Sequence, residues 1–188
     1  MEAHAMSPAP VLTSDQYFRT PETLRPTELV YGALRVAEAP SVLHQQAVGA
    51  FYLALSRHVR DRGLGCVLLS PIDVVLDYVR ALIVQPDLLF VSQDRAHVLE
   101  KRVVGAPDLV MEVLSPNPRI GALQERIDWF AQYGVREIWL HHQIAKRFEI
   151  VRVERGRAIR SEPSNYTRPI RSQVLPGFVS TVSEILAE

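Results

Sequence analysis

The 188-residue sequence has one cysteine, Cys66, so no intramolecular disulfide can form and no pair of thiolates is available for zinc. Within the run CVLLS its expected role is that of a small buried hydrophobe. Long apolar runs are missing as well. No stretch approaches the roughly 20 residues that span a bilayer, and the N-terminus has no basic region followed by an apolar one, so the reading is of a cytoplasmic protein with no membrane partner. Net charge is also lacking: 21 Lys and Arg balance 21 Asp and Glu. That balance removes the basic excess by which phosphate-binding proteins usually declare themselves. Several catalytic signatures are absent too, among them the P-loop, the dinucleotide glycine fingerprint, the nucleophile elbow and the metalloprotease histidine pair.

Apolar residues are plentiful, at 47% of the chain, enough for one sizeable core without disulfides or a structural metal. Residues 1–12, MEAHAMSPAPVL, are small, proline-containing and aperiodic, and read as a flexible arm. Residues 13–188 read as a single domain. Charge is uneven within it: between Lys146 and Arg171 stand eight Lys or Arg against three Glu, which is either a basic face for DNA or a set of solvated charges on strands and turns.

Leu29 to Ala37 has the composition of a strand. In HQQAVGAFYLALSRHVRDRG, residues Val48, Phe51, Leu55 and Val59 recur at helical spacing up to Gly63. The runs CVLLS, DVVLD, PDLLFV and APDLVMEVLS are short and β-prone, and suit strands covered on both faces. After Asn117-Pro118, residues 119–133 carry Leu123, Ile127 and Phe130 on one stripe, with Gly134 placed for a left-handed C-cap. Trp129, Phe130 and Tyr133 share that helical spacing and read as core. EIWLHHQ and RFEIVRVER read as strands, the second with imperfect alternation before a turn at Gly156, and VLPGFVSTVSEILAE ends in a short helix. The order predicts an α/β or α+β fold rather than a regular βαβ repeat.

Three carboxylates are embedded in apolar strands: Asp87, Asp108 and Glu112. Residues four apart on one strand share a face but lie about 13 Å apart, too far for Asp108 and Glu112 to share an ion. If PDLLFV and DLVMEVLS are neighbours about 4.8 Å apart, Asp87 and Glu112 can converge on a hard divalent cation, leaving Asp108 at the start of its strand. The alternative is structural, with each carboxylate capping a turn or pairing with an arginine such as Arg126. His141 and His142 are adjacent on a strand and point to opposite faces, so the two cannot share one ion.

PTELVYGAL, the early His44, QPDLLFV, GAPDLVMEVLSP, YGVREIWL and the closing VLPGF together resemble the Uma-two family of the PD-(D/E)XK nuclease superfamily, in the family's order and over nearly the whole chain. The resemblance implies a restriction-endonuclease-like fold, a central mixed β-sheet flanked by helices. It makes Asp87 and Glu112 the magnesium (or manganese) ligands of a DNA endonuclease. Glu28 and His44 match polar positions of the family's N-terminal helical region and are secondary candidates. The sequence departs from the pattern at Leu114, where the simplest motif has lysine. The family's lysine on the following helix is matched here by Arg126, and Ala122 and His142 stand at positions usually aspartate. Lys101 and Lys146 could substitute, but their flanks look like strand-edge surface. The catalytic set implied is Asp87, Glu112 and Arg126. The competing implication is a catalytically impaired relative that binds nucleic acid or protein, and a neutral surface with exposed strands also suits a homodimer.

Overall fold

The computed structural model describes residues 11–21, 25–114 and 123–187. Most of the arm, the Asn117-Pro118 turn and Ala122 lie outside the described residues. Helix α1 (Ser14–Arg19) starts at a capping box in which Thr13 and Gln16 satisfy each other's backbone N–H. Strands β1 (Thr27–Val30) and β2 (Ala33–Val36) then form a hairpin. The single strand expected over Leu29–Ala37 is therefore two. Tyr31 and Gly32 break it by both taking positive φ, 49° and 86°, the conformation of a two-residue turn between right-twisted strands.

Helix α2 (Val42–Asp61) is capped by Ser41 and buries Val48, Phe51, Leu55 and Val59. There follow β3 (Gly65–Leu69), β4 (Val74–Asp77), β5 (Leu82–Val84), β6 (Leu88–Ser92), a 3-10 turn (Gln93–Val98), β7 (Val103–Val104) and β8 (Leu109–Leu114). Helix α3 (Leu123–Tyr133) ends at Gly134 with φ 102°. Strands β9 (Glu137–His142), β10 (Arg147–Glu154), β11 (Arg157–Ile159), β12 (Ser164–Asn165), β13 (Pro169–Arg171) and β14 (Val179–Thr181) precede the short α4 (Val182–Ile185).

The main sheet has the order β11-β10-β9-β8-β6-β3, with β12 also on β10. It is mixed: β8 and β9 run parallel and the other pairs antiparallel. A second sheet, β2-β1-β5-β4-β7, lies beside it, and β13 pairs with β14. Strand alternation sorts the main sheet's side chains onto two faces. One carries Leu109, Met111, Trp139 and Phe148 and is covered by α2, the β13–β14 hairpin region and α4. Phe51 stacks on Phe148 there, ring centroids 5.6 Å apart, with Trp139 edge-on to both. The other face carries Leu89, Val91, Val110, Ile138, Leu140 and Val151, covered by Ile127 and Phe130 of α3 and by Val74, Leu82 and Val84 of the second sheet. Both faces of β8 are thus apolar-covered, which is why its sequence reads as a nearly unbroken hydrophobic run. Glu112 interrupts that run on the α3 face. Among the described residues, no helix is long and apolar enough to cross a membrane.

Candidate functional site

Strands β6 and β8 pair antiparallel, with Leu88 opposite Met111 and Leu89 opposite Val110. Asp87 immediately precedes Leu88, and Glu112 immediately follows Met111, so both stand at the same end of the pair. The Asp87 carboxylate lies next to Glu112 there, since it meets the backbone of Val113 and its charge acts on the Glu112 carboxyl. Asp87 is held from two directions: Oδ2 accepts from Val113 N at 2.7 Å, and Oδ1 lies 3.2 Å from His44 Nε2. His44 sits in the first turn of α2, only 12% exposed, and its buried Nδ1 has no hydrogen-bond partner among the described residues. It is therefore a buried neighbour of Asp87 rather than an exposed helical histidine.

Arg126 projects from α3 into the same place. Its Nε donates to Glu112 Oε1 at 2.8 Å and its Nη1 to Glu28 Oε2 at 2.7 Å. Glu28 is almost fully buried, and its other oxygen accepts from Gln85 N at 2.6 Å. Glu28 belongs to strand β1, not to a helix, which corrects the helical placing implied by the family resemblance. Its place on β1 lets it reach from the second sheet to Arg126, so the guanidinium ties β1, β8 and α3 together. The guanidinium also lies 5.4 Å from the Phe130 ring centroid.

Burial pushes the Glu112 carboxyl up to about 8; the Arg126 charge opposes this, and the Asp87 and Glu28 charges add to it. Burial alone would lower the Arg126 pKa, but Glu112 and Glu28 outweigh it and keep the guanidinium charged. Arg126 is thus shared by two carboxylates, Glu28 and Glu112, while Asp87 is held by Val113 N and His44. Hard divalent ions such as Mg²⁺ are usually held by one or two carboxylates with waters and substrate phosphate completing the shell. Asp87 and Glu112 fit that demand by donor type and adjacency. Among the described residues, no group of three or more His, Cys, Asp or Glu forms a self-sufficient cation cage.

Other candidates lie elsewhere. Asp108 is fully buried at the opposite end of β8, bound by Ser92 N at 2.8 Å, Arg136 at 3.1 Å and Arg95 at 3.4 Å, and closes the start of the strand. Lys146 is in the β9–β10 turn with φ 49°. Lys101 lines an open groove of about 1580 Å³, shared with Tyr17, Phe18, Arg25, Gln85 and Arg102, that passes beside Gln85. Cys66 on β3 is only partly buried. His142 lies on the Glu112 face and His141 on the other, where it meets Tyr166 Oη at 2.6 Å.

Sequence reading did not single out Glu149 or Arg160. Glu149 is fully buried and takes a two-pronged contact from Arg160, Nε to Oε1 at 2.7 Å and Nη2 to Oε2 at 2.8 Å. The signal was the flawed alternation of β10: Phe148 and Ile150 point to one face and Val151 and Val153 to the other, which leaves Glu149 inward.

Comparison with known proteins gives two findings. The family model described as "Uma2: Putative restriction endonuclease" matches residues 14–183. The fold matches the crystal structure of "a putative nuclease belonging to DUF820 from Anabaena variabilis ATCC 29413", with a TM-score of 0.77 at 14% identity, over 94% of this chain and 98% of that one. At that identity the likeness establishes the fold, a mixed α+β arrangement of the restriction-endonuclease-like kind. No curated protein matches the chain.

Proposed function

The chain belongs to the Uma2 family, and from that premise we propose that it is a divalent-metal-dependent DNA endonuclease in which Asp87 and Glu112 hold Mg²⁺ or Mn²⁺ and Arg126 takes the lysine's place. The observation that supports this reading is the 2.7 Å hydrogen bond from Val113 N to Asp87 Oδ2, which brings the Asp87 carboxylate beside Glu112. When bound, the ion supplies an activated water and neutralises charge on the scissile phosphate. The protein's own residues do the rest. Val113 N and His44 fix the orientation of Asp87. Glu28, itself anchored by Gln85 N, holds Arg126 against Glu112. Arg126 stays charged, so it stabilises a pentacovalent phosphate but cannot act as a base.

A plasmid-nicking assay in magnesium and in manganese tests the proposal. Slow wild-type nicking, abolished in Glu112→Gln and raised in Arg126→Lys, is the expected pattern. An ammonium reaches one oxygen at a time and cannot fork across Glu28 and Glu112 as the guanidinium does. Cleavage that survives Glu112→Gln, or no cleavage by any variant in either metal, refutes it.

One observation favours a second reading: Arg126 already engages Glu112 at 2.8 Å, as it would in a catalytically impaired protein that only binds DNA. Binding without cleavage in every variant would select that reading. For either, the edge strand β2, with Leu34 and Val36 outward and about half exposed, is the surface best suited to a homodimer.

A further inference from the structure

The row of side chains that contains Glu112 continues across the sheet. Glu112 is level with Leu140 on β9, and Leu140 with Glu149 on β10. Glu149 therefore lies on the same face two strands away, about 10 Å at roughly 4.8 Å per strand. A fully buried carboxylate in an apolar layer is costly unless paired. Its partner Arg160 is not buried with it: the side chain is 42% exposed. Glu149 takes the Nε and Nη2 hydrogens, and Gln124 on α3 accepts from Nη1 at 3.2 Å. A guanidinium has five N–H groups, so among the described residues two have no acceptor, carried by a head that three contacts hold still. Between this pair and Glu112, on the same face, stands His142, whose Nε2 lies 3.5 Å from Glu149 Oε2 and has no hydrogen-bond partner among the described residues.

We infer that Arg160, oriented by the buried Glu149 and flanked by His142, is a second phosphate subsite that grips the DNA backbone beside the cleavage position. The inference rests on the endonuclease reading and adds the substrate contact that reading lacks. Helix α3 divides the two positions: Arg126 faces Glu112 on one flank and Gln124 faces Arg160 on the other. Glu149 is a positioning residue. Arginine held in a fixed fork loses little freedom on meeting a phosphate and sets register without reading sequence.

The test is binding of a fluorescent DNA duplex by anisotropy, in EDTA so that metal and cleavage play no part, across a series of salt concentrations. Arg160→Gln alone would leave Glu149 buried and unpaired, so the decisive variant is the double substitution Glu149→Gln with Arg160→Gln, which keeps the shape and removes both charges. Thermal melting checks that it folds. The expected result is binding about tenfold weaker, with the slope of log affinity against log salt smaller by about 0.9, the loss of one phosphate contact. Arg160→Lys, with charge but no fork, should fall between. A folded double variant with wild-type affinity and slope overturns the subsite, as does a wild type that does not bind the duplex. Loss of binding in the double variant with no nicking by the wild type would leave the subsite standing and remove only the endonuclease reading.

Discussion

Replacing Arg126 with methionine removes the guanidinium that pairs with both Glu28 and Glu112 while leaving an unbranched side chain against Phe130. The exposures of the three partners are 9% for Arg126, 1% for Glu28 and 12% for Glu112, so water cannot take over the guanidinium's contacts at 2.7 and 2.8 Å. Removing one partner of a buried ion pair costs about 3–5 kcal/mol. That cost depends on pH, because carboxyls can take up protons instead. Glu112 already titrates in the folded state at about 8, above its ordinary 4.5. Between those values the native state holds more protons than the unfolded chain, so this group's contribution to stability falls as pH rises. Without Arg126 the carboxyl moves higher still, and the deficit widens with pH. Urea unfolding should show a loss of about 3–5 kcal/mol at about pH 8, shrinking to about 1–2 kcal/mol near pH 5. Magnesium should narrow the gap at the higher pH. A deficit below about 1 kcal/mol, or one the same at both pH values, would mean that the carboxylates are solvated and do not depend on Arg126.

Other outcomes follow from the same packing. Burial, aided by the neighbouring His142 and His44, pushes the His141 pKa down from 6.5 to about 4. As pH falls through that window the unfolded chain takes up the proton first, so about 3 kcal/mol of stability is lost across it. In His141→Asn that part of the acid slope in urea unfolding should vanish, and an unchanged slope would show that His141 is not its source. Phe51→Ala empties the ring cluster with Trp139 and Phe148 and should cost about 3–5 kcal/mol; a loss below about 1 kcal/mol by the same method would place the main core elsewhere.

Much of the fold was legible because the chain obeys simple periods. Val48, Phe51, Leu55 and Val59 mark α2 as plainly in the sequence as in the structure. The strand-length runs around Asp87 and Glu112 became β6 and β8, adjacent and antiparallel. The misreadings have local causes. The β1–β2 hairpin turns on Tyr31 adopting positive φ, a conformation that a non-glycine residue rarely takes. Glu28 matches a helical position in the family resemblance, yet its neighbour Leu29 pairs with Ile83 across a sheet, which holds Glu28 in a strand. Strand β5 is three residues long, too short for any period to announce it. Glu149 and Arg160 were hidden because a charged pair is invisible one residue at a time: they lie 11 positions apart and meet only once β10 has folded back toward β11.

Calorimetric titration of Mn²⁺ or Mg²⁺ into the wild type and into Glu112→Gln bears most directly on the claim that Asp87 and Glu112 form one cation site. The wild type should bind one ion, and the isosteric amide, having lost one of the two ligands, should bind at least tenfold more weakly, about 1.4 kcal/mol. Equal binding by the two proteins, or none by the wild type, would contradict it.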